Sequence, residues 1–115
     1  MNNRSVSRLF GALLAVAAGI GTGFAAEDHK AEAVKHAEAA MEVAQKGDAA
    51  AAGEHAAAAK AHAEAAEKER ANPHLEAGIK NLDLAIEQSR KGDAAMTADS
   101  AHAALTHLKA AEKSF

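Results

Sequence analysis

Seven histidines are the side chains in this sequence best equipped for chemistry: His29, His36, His55, His62, His74, His102 and His107. A neutral imidazole offers one lone pair to a metal ion and titrates close to physiological pH. Cysteine is absent, which rules out a thiolate nucleophile, a disulfide framework and covalent haem attachment through C-x-x-C-H. Ser100 lies near His102, yet on an alanine helix it has no oxyanion pocket beside it, so acyl transfer finds no support and the chain reads as non-catalytic. Neither H-x-x-x-H nor H-E-x-x-H occurs. A carboxylate-bridged di-iron bundle needs Glu-x-x-His on two helices, and Asp99-x-x-His102 is the nearest approach. The histidines recur instead at a spacing of seven, His29/His36 and His55/His62. Glu32 falls between the first two at spacings of three and four, on the same helix face. Imidazole with carboxylate is an N/O donor set that suits Cu(II), Ni(II) or Zn(II), and the affinity order favours Cu(II).

The elements that must position these donors are helices. Nearly half of the 115 residues are hydrophobic, but only 3% are aromatic, and Pro73 is the single proline. An alanine-, glutamate- and lysine-rich chain of this kind favours helix throughout. Lys46-Gly47-Asp48 and Lys91-Gly92-Asp93 each join a glycine suited to the αL end of one helix to an aspartate suited to the N-cap of the next. The stretch from His29 to His62 returns as His74 to His107, with Lys35 on Lys80 and Ala65–Lys68 on Ala110–Lys113. The chain is therefore a duplicated helical hairpin. Helices are expected over 27–46, 49–70 and 73–91, with a fourth after Asp93, so that the hairpins span 27–70 and 73–114. Short turns force neighbours antiparallel, and the result is an all-α, up-down-up-down four-helix bundle.

Stripes at a/d spacing predict the buried faces: Val34, Ala37, Met41 and Ala44; then Ala56, Ala59, Ala63 and Ala66; then Leu75, Ile79, Leu82 and Ile86; and finally Ala101, Ala104, Leu105 and Leu108, with Phe115. Val43 and Met96 complete the short roll of large apolar residues. With Val34 and Ile79 at position a, His29, His36 and His74 take position c. On the returning helices His55, His62 and His107 take position g. Both positions flank the core without entering it. In a hairpin folded at Gly47-Asp48, His36 lies at a level between His55 and His62, so three imidazoles are expected to meet along one seam, with His29/Glu32 an adjoining, weaker pair. Asn81 and Ser100 stand where the second hairpin would repeat His36 and His55, and His102 lies off to one side. The bland alternative is a solvated flank on a structural or interaction bundle without metal; recurrence at spacing seven and across the duplication favours the metal reading. A b-type haem bundle would call on Met41 or Met96, but so few aromatics leave poor walls for a porphyrin.

Residues 1–25 read as an export signal. Arg4 and Arg8 precede an apolar run from Leu9 to Ile20, and Gly23-Phe24-Ala25 sets small residues at a cleavage site. The run is too short to span a membrane. Cleavage leaves residues 26–115 as the bundle, with no membrane attachment expected. The full chain has a net charge of −3, and losing two arginines makes the remainder more acidic still, which argues against nucleic acid as a partner.

The motifs E-A-V-K-H-A-E (Glu32–Glu38), the two K-G-D turns and H-L-K-A-A-E-K (His107–Lys113) give the chain a resemblance to the periplasmic small metal-binding protein family. It covers essentially all of the chain after residue 25. The resemblance implies a monomeric four-helix bundle in the periplasm that binds several divalent metals, copper above all, and buffers or sequesters them. It also implies a ligand role for His29, His36, His55, His62, His74, His102 and His107. Family members carry H-x-x-E and A-x-x-x-H patterns more densely; Gln45, Asp48, Asn81, Ser89 and Asp93 stand where histidines would often be.

Overall fold

In the computed structural model, residues 28–114 are described; the expected leader and Phe115 lie outside them. Four helices follow one another: α1, His29–Gln45; α2, Ala49–Glu69; α3, Pro73–Arg90; and α4, Ala94–Ser114. Each packs on its chain neighbours, and α1 against α4 closes the ring. The arrangement is the antiparallel four-helix bundle that the short turns dictate, and no strand occurs among the described residues.

Both turns are built alike in backbone geometry. Gly47 has φ of 91° and Gly92 of 75°. The amide of Gly47 donates to the Ala44 carbonyl, and that of Asp48 to the Val43 carbonyl, each at 2.9 Å. Gly92 and Asp93 donate in the same way to Ser89 and Gln88, each at 3.0 Å. These paired bonds satisfy the last carbonyls of α1 and α3 in the Schellman pattern. The aspartate of each turn then caps the next helix: Asp48 accepts from the Ala51 amide and Asp93 from the Met96 amide, both at 3.0 Å. A Cβ at Gly47 or Gly92 would meet no neighbour, so the cost of alanine there is conformational alone. Gly47→Ala is expected to lower stability by about 1–2 kcal/mol, read as a drop in the midpoint of urea unfolding. An unchanged midpoint would show that the left-handed turn is not required.

The core is mostly alanine. Ala33, Ala37 and Ala40 of α1 and Ala56, Ala59 and Ala63 of α2 are fully buried, and side chains this small let the two helices approach closely. The second hairpin has the larger members: Leu75, Leu82, Leu105 and Leu108 are buried, with Ile79 and Ile86 packed against them from the edge. Leu108 presses on Gly78, where an added Cβ would come within 2.9 Å of its Cδ2. Met96, expected among the core residues, is instead 49% exposed. Thr97 takes the inward place in that turn, its hydroxyl satisfied by the Asp93 carbonyl at 2.7 Å. Ion pairs across helix boundaries, Lys60–Asp83 at 2.7 Å and Lys109–Glu38 at 3.8 Å, lie near the surface and contribute little. The Asp83 hydrogen bond raises the Lys60 pKa above its ordinary range.

Asn72 sets the junction between hairpins. Buried to 3% exposure, it donates its amide to the Glu67 carboxylate at 3.1 Å and caps α3 through its side-chain oxygen, which accepts from the His74 amide at 2.7 Å. That cap fixes where His74 begins the helix.

Candidate metal centre

The seam between α1 and α2 gathers four imidazoles. Alanine faces bring the helices together, and residues at the flanks of those faces then meet edge to edge. The rings alternate between helices in a ladder: His29 of α1, His62 of α2, His36 of α1, His55 of α2. Successive ring centres are 5.3, 5.6 and 5.9 Å apart. His36 and His62 lie almost parallel, 8° between planes. All four are half-buried, shielded by the bundle on one side and open to ions on the other.

Among the described residues, the donors that come together as a group of three are Glu32, His36 and His62, one atom from each lying within 4.8 Å of the others. In a tetrahedral site with bonds of about 2.0–2.1 Å, donors stand about 3.3 Å apart, so the three must draw closer together to close on an ion. Burial holds the His36 imidazole below the usual histidine range, and charge on His62 or His55 would push it the same way, as does Lys35. Glu32 opposes them. The ring therefore keeps its lone pair at a lower pH than a solvated histidine would. Lys35 lies 3.7 Å from the Glu32 carboxylate, an exposed pairing that a divalent ion can displace.

Sequence spacing and side-chain geometry differ in two places. His55 stacks on His36, but its donor atoms stay outside the group of three, where Glu32 stands instead. His29 turns away from the expected Glu32 pairing: its Nδ1 is 3.0 Å from Nδ1 of His62, and its Nε2 is 4.0 Å from a carboxylate oxygen of Glu69. Glu69 was not among the residues singled out from the sequence. Its position could have been read from the hairpin, since the end of α2 returns to the level where α1 begins.

The second hairpin holds one ring pair among the described residues. His74 and His107 pair at 5.8 Å, tilted by 30°. Asn81 stands where His36 would be repeated and spends its amide on the Ala77 carbonyl at 3.0 Å. His74 is exposed and His107 half-buried. His102 is exposed on α4, away from both, and stacks on no ring among the described residues.

Residues 4–111 match the family described as small metal-binding protein. The chain belongs to that family. Membership brings metal binding with it, and the His/Glu group at the α1/α2 seam is a candidate place for it. Among curated proteins, none matches the chain significantly.

Proposed function

We propose that the chain takes up a divalent transition-metal ion at the α1/α2 seam, with Cu(II) preferred and Ni(II) or Zn(II) accepted, and buffers it in the periplasm after export without transforming it. One observation carries this reading: a carboxylate and two imidazoles from two helices, Glu32, His36 and His62, converge on a half-buried flank. A donor set of nitrogen and oxygen is intermediate in softness, and the Irving–Williams order then places Cu(II) above Ni(II) and Zn(II). Uptake is a binding role, and the ion is cargo. Export rests on the basic and apolar pattern of residues 1–25, and a single bundle acting alone is the expected state.

Because the donors come from two helices that unfolding separates, the ion stabilises the folded chain. A ligand at about a hundred times its dissociation constant adds about 2.7 kcal/mol. Titration calorimetry at about pH 7.5 with Cu(II), Ni(II) and Zn(II), paired with thermal melts, is expected to show saturable binding, tightest for Cu(II), and a higher midpoint for the loaded chain. Heats no larger than dilution, with an unshifted midpoint, would overturn the proposal and favour a purely structural bundle.

A further inference from the structure

We infer that the seam contains a second metal position overlapping the first, formed by Nδ1 of His29 and Nδ1 of His62, with Glu69 positioning the His29 ring. This rests on the seam being the metal site. The two Nδ1 atoms face one another at 3.0 Å. Two imidazole nitrogens cannot direct bare lone pairs at each other over that distance; one must carry a proton for the other to accept. A metal ion can displace that shared proton, binding both nitrogens from a point off the line between them. Nitrogens each about 2.0–2.1 Å from one ion stand about 2.9 Å apart at a right angle and about 3.3 Å apart in a tetrahedron, so the spacing suits an ion to one side of the pair once both rings turn toward it.

Glu69 supplies the second half of the device. Its Oε2 lies 4.0 Å from His29 Nε2, the nitrogen on the far side of the ring from His62. That is longer than a hydrogen bond. A small rotation of the exposed Glu69 side chain would bring it into range, where a carboxylate on the outer nitrogen orients a ligating ring and strengthens its donation. Glu69 closes α2 and His29 opens α1, so this outer position lies where the free ends of the hairpin meet. The inner group, Glu32, His36 and His62, lies farther from those ends along the same seam, equally half-buried.

His62 belongs to both positions. A neutral imidazole has one lone pair, so His62 serves one ion at a time, and the two positions exclude each other. The first hairpin accordingly binds one ion, although five side chains could contribute. Capture at the outer position and retention at the inner one then share a ligand, and the ion can pass inward without leaving the chain.

The test uses the full chain with His74, His102 and His107 replaced by glutamine, titrated with Co(II), whose visible absorption reports its ligands. One Co(II) per chain is expected. Adding His36→Gln should leave one Co(II) bound, tenfold or more weaker, with an altered spectrum. Adding His29→Gln to that variant should abolish binding. Adding Glu69→Gln instead should weaken it by about 10–100-fold and change the spectrum, while the metal-free melting temperature stays the same. Two Co(II) per chain, no binding once His36 is replaced, or indifference of the His36→Gln variant to both His29 and Glu69 would each overturn the inference. Absence of Co(II) binding with His36 intact would instead sink the underlying assignment of the seam.

Discussion

Replacing His36 and His62 together with glutamine is expected to lower the affinity for the first Zn(II) or Cu(II) ion by more than a hundredfold. Loss of an outer-shell partner alone costs about 10–100-fold, and here two of the three converging donors disappear, leaving Glu32 alone. Glutamine retains the length and polarity of a flank residue, so helicity should survive and the loss will be one of binding. Replacing His102 should change little, since it lies exposed on α4. Acid should have the same effect as the double replacement, because protons and metal compete for one lone pair. An unperturbed histidine titrates near about 6.5, and burial holds His36 below that. Binding should be firm at about pH 7.5 and largely lost by about pH 5. The metal-free chain follows the same sign. A histidine whose folded pKa is depressed binds fewer protons folded than unfolded, so stability is full above the unfolded value and declines as pH falls through the folded one. Equal copper uptake at the two pH values, or an unchanged isotherm in the double variant, would contradict this account.

Truncating Leu82 to alanine should cost about 2–5 kcal/mol. Leu82 is fully buried on α3, and with Leu75, Leu105 and Leu108 it supplies most of the large side chains in a core that is otherwise mostly alanine. Small side chains cannot swing into the space it leaves, so the void persists. Single domains retain only about 5–15 kcal/mol of net stability, and a core this poor in large residues belongs at the low end. Each kcal/mol is worth about 4–8 °C in a domain of this size, so the melting midpoint should fall by at least about 8 °C. Leu84, 46% exposed on the same helix, is the control: alanine there should leave the midpoint within a few degrees. Equal effects at Leu82 and Leu84 would show that the buried stripe of α3 is wrongly assigned.

The helices and turns were legible because their signals are local. Gly47 and Gly92 need a left-handed backbone, Asp48 and Asp93 satisfy the amides that follow, and a period near seven places Ala56, Ala59, Ala63 and Ala66 on the core face. Met96 shows the limit of that reading. Ranking residues by size put it inside, whereas the N-cap at Asp93 sets a phase in which Thr97 points inward and Met96 outward. The seam was legible only as far as levels go. Reflecting α1 onto α2 about Gly47-Asp48 puts His36 between His55 and His62, and its ring lies 5.9 and 5.6 Å from theirs. Which donor atoms then converge depends on side-chain torsions that spacing does not encode. Glu32 instead of His55 completes the group of three, and His29 meets His62 and Glu69, for that reason.

Imidazole nitrogen chemical shifts, followed while one equivalent of Zn(II) is added at about pH 7.5, test the central claim most directly. Zn(II) is diamagnetic, and each of the seven histidines reports separately. The resonances of His36 and His62 should move first and by the most, with the Glu32 carboxylate carbon following them, while His102 stays in place. Uniform small shifts across all seven rings, or a first response at His74 and His107, would show that no site has formed at the α1/α2 seam.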